Sequence, residues 1–203
     1  GVLIGKCRWT PHGFNGDEIT PVESPTPPQT AIRCVHTRGT RRHRIKVQFD
    51  VTDASFSSDL RTPDRPNAYV KQPKELNEAG DTRVLYRKLI CDVPGTKRGA
   101  RSFYESIVSL LESAGFTRAK TDRCLFFGPD GTSELVVHVD DGFGYFESVE
   151  HVNAFKQLIE SRFKVKFKVV PIGESADFCG YMITEVENGV FFEQRQFIKT
   201  KVK

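Results

Sequence analysis

The chain has 203 residues, a formal charge of only +4 from 30 Lys and Arg against 26 Asp and Glu, and 38% hydrophobic residues, with 16 Phe dominating the aromatics. That balance excludes a disordered or low-complexity chain, and no apolar run approaches the roughly 18–20 residues of a membrane helix. The opening GVLIGKCRW is too soon interrupted by charge for a secretory signal, so an intracellular protein, of cytoplasm or nucleus, is expected. The cysteines (Cys7, Cys34, Cys91, Cys124, Cys179) are odd in number, scattered and never spaced C-x-x-C, which speaks for reduced thiols rather than a disulfide framework or a zinc site.

In chain order, prolines at 11, 21, 25, 27 and 28 predict an extended, irregular lead-in over residues 11–30. A basic run follows: Arg38, Arg41, Arg42, His43, Arg44 and Lys46. With Lys164, Lys166 and Lys168 it is a local patch of the kind that contacts phosphates, or else a solvated face. IKVQFDV (45–51) alternates strictly, Ile45, Val47, Phe49 and Val51 against Lys46, Gln48 and Asp50, which predicts a half-buried strand with Asp50 near its end on the polar face. Residues 57–82 read as loop. From Ser102, Phe103, Ile107, Leu110, Leu111 and Ala114 recur at helical spacing, with Gly115 placed for a left-handed stop.

CLFF and TSELVVHVDD flank a Pro-Asp-Gly turn and predict a hairpin that runs into Asp140 and Asp141. A second helix is expected after Ser148, a good N-cap, with Val152, Phe155, Leu158, Ile159 and Phe163 inward. FCGYMITEV and VFFEQRQF around Asn188-Gly189 predict a second hairpin. The connections are too short for parallel crossovers, so an α+β fold is expected: an antiparallel sheet with helices on one face.

Adjacent aspartates repel, and two readings of Asp140-Asp141 stay open. They are turn formers beside Gly142, or, with Asp50, they are hard oxygen ligands for a divalent cation that offsets their repulsion and leaves positions for phosphates. His138 reads as a packing neighbour of the pair rather than a catalytic base.

Six segments in order carry a resemblance to a known family. VQFDVTDASFSSDL (47–60) is similar to QLDVKTAFLNGDL, with Asp50, Val51, Ala54, Asp59 and Leu60 in register; YVKQP (69–73) is similar to YMKQP. RSFYESIVSLLESAGFTRAKTDRCLFF (101–127) resembles RAWYxKLxxxLLSLGFxxSxxDPCLFY, and HVDD (138–141) stands where the family has YVDD. FKVKFKVVPIGESADFCGYMI (163–183) resembles FxMKDLGELKYFLGIEI, and GKCRWTPHGF (5–14) resembles KARLVAKGF. On these segments the sequence resembles the reverse transcriptases of copia-type LTR retrotransposons, over their fingers and palm.

The resemblance implies a polymerase palm with a fingers-like N-terminal segment at 1–44, a palm-like catalytic domain at 45–203 interrupted by a fingers insertion at about 61–101, and no thumb, RNase H or integrase segment. It implies catalytic Asp50, Asp140 and Asp141, and Mg²⁺ or Mn²⁺ held by Asp50, the Val51 carbonyl, Asp140 and Asp141. Nucleotide contacts would come from Lys6, Arg8, Asp53, Ser55 and Arg98, and nucleic-acid contacts from Lys97 and Arg101. The implied partners are an RNA or DNA template-primer and nucleoside triphosphates, with other protein chains if the domain has been recruited to new work, and no membrane.

Departures cluster near the implied chemistry. Ser55 replaces an aromatic that blocks a ribose 2′-hydroxyl, which predicts weaker discrimination against ribonucleotides. SLYGLKQAPRAW is represented by DVPGTKRGARSF (92–103), so a Tyr has become Pro94 and a Gln has become Arg98, while His138 replaces a Tyr. The expected function is an RNA-directed DNA polymerase fragment, and the alternative is a retired domain that binds nucleic acid or serves as a scaffold.

Overall fold

The computed structural model describes residues 24–57, 69–93 and 99–201. The chain first forms helix α1 (Gln29–Arg41) and then strand β1 (Ile45–Val51), whose alternation buries Val47, Phe49 and Val51 on one side. Strands β2 (Tyr69–Lys71) and β3 (Tyr86–Lys88) pair as a separate ribbon. Gln72 organises the turn between them. It donates to the Leu76 carbonyl at 2.9 Å and accepts from Arg87 Nε at 2.6 Å.

Helix α2 (Gly99–Ser113) buries Phe103, Ile107 and Leu111, and Gly115 closes it at φ +84°, a left-handed conformation in which glycine has no Cβ to clash. Strands β4 (Thr117–Arg118), β5 (Leu125–Phe127), β6 (Glu134–His138) and β7 (Asp141–Phe146) follow as a meander. Helix α3 (Val149–Glu160) starts at Ser148, whose hydroxyl accepts from the His151 amide at 3.3 Å. Then come β8 (Val165–Val169), β9 (Ser175–Phe178), β10 (Tyr181–Val186), β11 (Gly189–Glu193) and helix α4 (Arg195–Lys201).

Six strands join in the order β4-β5-β6-β7-β1-β8, every neighbouring pair antiparallel; β9, β10 and β11 form a second, three-stranded sheet. On one face α2 and α3 close a core of Phe49, Phe103, Ile107, Leu135, Phe146 and Phe155, as the helical periodicities predict. Each such side chain, fully buried, contributes about 1.5–3 kcal/mol. The fold is therefore the expected α+β, palm-like arrangement.

The other face is also covered. Helix α1 lays Ile32 and Val35 against Val136, Phe143 and Tyr145, and Phe178 and Ile183 of the three-stranded sheet complete that second core. The lead-in expected to be irregular up to residue 30 thus gives way to a helix at Gln29, and that helix packs on the palm-like sheet. The polar face of β1 does not meet water along its length. Lys46, 2% exposed, lies 3.8 Å from buried Glu185, and Gln48 donates to the Asp177 carbonyl at 2.8 Å.

Three of the six residues of the basic run are taken up by this packing. Arg44 (3.2 Å) and Arg38 (2.8 Å) both hold Glu134 of β6, and Lys46 faces Glu185. Lys166 and Lys168 are engaged too, by Asp50 and Glu174. Arg41, Arg42, His43 and Lys164 stay exposed, so each run is part packed and part the solvated face that was one of its two readings. Within 57–82, read as loop, Tyr69–Lys71 is a strand.

Candidate active site

The β6-β7 hairpin turns on two residues, Val139 and Asp140, closed by the register pair His138 and Asp141. Val139 takes φ +49°, costly for a β-branched residue at roughly 1–2 kcal/mol, yet a positive φ is what so tight a hairpin turn requires. Only Asp140 sits in the turn. Asp141 and Gly142 are already strand residues, so the turn-former reading fails for two of its three members. Gly142 is the register partner of Phe49, and a Cβ there would stand 2.1 Å from Phe49 Cζ. Glycine is required for the ring to cross the strand, not for the turn.

With that register, Asp141 lies directly opposite Asp50 on β1, and the Val51 amide donates to the Asp140 carbonyl at 2.8 Å. Two strands distant in sequence thereby bring Asp50, Val51, Asp140 and Asp141 together at one end of the sheet. Like charges placed opposite one another are unfavourable. Burial, together with the charges of Asp140, Asp50 and Asp177, pushes the Asp141 carboxyl up to about 6, against the pull of Lys166.

Asp50 has a cation on its other side. It pairs across to Lys166 of β8, whose Nζ lies 2.8 Å from Asp50 Oδ2; the bond raises the affinity of that ammonium for its proton.

Asp177 is a residue that sequence reasoning missed. It stands on β9, where the family pattern carries an aromatic, so motif matching had no signal for it. The β9-β10 turn that follows uses Cys179 (φ +50°) and Gly180 (φ +77°), the two positive φ values of a type I′ hairpin. Burial, then the charges of Asp141 and Asp177, push the Cys179 thiol up to about 12, which leaves it a poor nucleophile. None of the four cysteines among the described residues is in a disulfide.

Other residues singled out in the sequence fall as follows. Asp53 is exposed at φ +58°, its carbonyl accepting from the Phe56 amide at 2.9 Å. Ser55 belongs to a 3-10 turn (Ala54–Ser57) resting against α2, but its side chain lies outside the described residues, as do Lys6, Arg8, Lys97 and Arg98. Arg101 is held by Glu105 one turn along α2, at 2.8 Å. His138 is the register partner of Asp141, and its Nδ1 is buried without a hydrogen-bond partner.

The donor set suits a hard divalent cation. It consists of oxygens only, three carboxylates and the Val51 carbonyl; the mutual repulsion of the carboxylates is visible in Asp141, and a positive charge already stands on Asp50. Among the described residues no three His, Cys, Asp or Glu side chains converge on a common centre, however, and the Asp50 carboxylate is engaged by Lys166.

A family model for reverse transcriptase (RNA-dependent DNA polymerase) matches residues 6–203. Over 142 residues the chain is 25% identical to the retrovirus-related Pol polyprotein from transposon TNT 1-94 of Nicotiana tabacum, an alignment that covers 67% of this chain and 10% of that polyprotein. The chain thus spans about a tenth of that relative's length. Among solved structures it is similar to telomerase from Candida albicans in complex with a fragment of telomeric RNA (TM-score 0.47, 11% identity, 83% of this chain and 36% of that one). It is also similar to apo telomerase from Candida tropicalis (TM-score 0.45, 11% identity, 81% and 40%). With the family match running almost from end to end, over a palm-like antiparallel sheet, the chain belongs to the reverse transcriptases of copia-type retrotransposons.

Proposed function

We propose that this chain is the fingers-and-palm part of an RNA-directed DNA polymerase within a longer Pol polyprotein, adding deoxynucleotides to a primer 3′-hydroxyl on an RNA or DNA template. One observation carries the reading: the register that sets Asp50 opposite Asp141, with Asp140 at the turn beside them and bonded through its carbonyl to the Val51 amide. Asp50, the Val51 carbonyl, Asp140 and Asp141 would hold Mg²⁺ or Mn²⁺. When bound, such ions supply charge neutralisation on the attacking and leaving oxygens of an in-line displacement.

The protein's own contribution is positioning. The hairpin and the Phe49–Gly142 crossing hold the carboxylates in register, so that little reorganisation is left for the moment of reaction. Lys6, Arg8 and Arg98 would meet the triphosphate, since Arg grips phosphate oxygens bidentately and Lys acts as a point charge. Asp53 and Ser55 would border the incoming sugar, and Lys97 and Arg101 would contact the nucleic-acid backbone. The family's divalent-metal chemistry needs no covalent intermediate, in keeping with a Cys179 thiol that burial holds protonated.

The test is primer extension with Mg²⁺ and with Mn²⁺ beside an Asp140→Asn control. Extension that falls by roughly 10²-fold or more in the variant supports the proposal. Template-primer binding that weakens with salt but yields no extension would instead identify a retired nucleic-acid-binding domain.

A further inference from the structure

We propose that Lys166 is the resident counter-cation of the acidic site, an ammonium that an incoming divalent ion has to displace from Asp50; this rests on the polymerase reading above. Strand β1 lies between β7 and β8, so Asp50 has a register partner on each side, Asp141 on one and Lys166 on the other. Cross-strand partners project from the same face of a sheet. Asp141, Asp50 and Lys166 therefore form a row of alternating charge across three strands, with Nζ 2.8 Å from Asp50 Oδ2.

The other lysine on that face of β8, Lys168, is held by Glu174, which leaves Lys166 as the cation of β8 that reaches the aspartates. The pair is built to open. The Lys166 side chain is 77% exposed and that of Asp50 37%, and an ion pair so wet is weak and easily exchanged. The same oxygen cannot serve an ammonium and a metal ion together. In the metal-free protein Lys166 offsets the repulsion between Asp50 and Asp141, and on metal loading it yields its place. It is a positioning residue whose effect falls on metal affinity.

The experiment is Mn²⁺ binding to the whole chain, read from the electron paramagnetic resonance signal of the free ion at neutral pH, for the wild type, Lys166→Gln, Lys166→Arg, Lys168→Gln and Asp140→Asn. Lys166→Gln is expected to bind Mn²⁺ about two- to tenfold more tightly, since no exposed ion pair is left to break and no positive charge to repel the ion. Lys166→Arg, which keeps the charge, and Lys168→Gln, which touches a different pair, are expected to match the wild type. Equal or weaker binding by Lys166→Gln, at a site that Asp140→Asn abolishes, would overturn this inference and leave the polymerase reading standing. Absence of any Asp140-dependent Mn²⁺ binding in both the wild type and Lys166→Gln would overturn both.

Discussion

Replacing Asp141 with Asn tests whether the acidic site is under electrostatic tension in the metal-free protein. Its carboxyl is shifted from 3.8 to about 6 by burial and by Asp140, Asp50 and Asp177. A shift of roughly two units sets an upper bound of about 3 kcal/mol. Solvent at this strand end screens part of it, so about 1–2 kcal/mol is the working figure. The folded state holds this proton more tightly than the unfolded chain, so stability falls as pH rises through the window from 3.8 to about 6. The cost is then constant above that window. Urea denaturation in the presence of a chelator, at about pH 4.5 and about pH 7.5, reads the difference directly. The Asn variant is expected to exceed the wild type by about 1–2 kcal/mol at the higher pH, with the gap shrinking to about a third of that at the lower. A gap that does not change with pH, or an Asn variant less stable than the wild type at neutral pH, would refute the reasoning.

Two further perturbations probe the framework that holds the site. Glu185→Gln leaves Lys46 buried without its countercharge and is expected to cost about 3–5 kcal/mol in urea denaturation, whereas the double replacement Lys46→Met, Glu185→Leu is expected to be close to neutral. A single-variant cost below about 1 kcal/mol would show that the pair is hydrated. Burial already lowers the Lys46 pKa from 10.5, so the Gln variant should regain stability as pH rises towards that value, because the unfolded chain then binds more protons than the folded one. Gly142→Ala places a methyl 2.1 Å from Phe49 Cζ and forces the ring out of its crossing. The expected cost is about 1–3 kcal/mol in thermal or urea melts, partly restored by adding Phe49→Leu; an Ala variant as stable as the wild type would show that the ring can move freely.

Much of the fold is legible because its signals are local. The alternation in β1, the helical spacing in α2 and α3, the Ser148 cap, the Gly115 stop and the β10-β11 hairpin, which turns one residue early on Glu187-Asn188, each depend on residues a few positions apart. Helix α1 was not legible: it follows a proline-rich lead-in, and three of its thirteen residues are arginines. One of them, Arg38, finds its carboxylate on β6, which is also where Arg44, just beyond the helix, finds its own, 90 residues on. For the same reason the polar face of β1 read as solvent-facing although the second sheet covers it.

Residue order alone was enough for the family and for the strand that carries Asp50, and it named three aspartates to look for. Tertiary structure alone decided the company each charge keeps: Asp50 between Asp141 and Lys166, Asp177 within reach of Asp141, Lys46 against Glu185. Periodicity fixes which way a side chain points along its own strand, whereas the order in which strands join the sheet fixes what it points at.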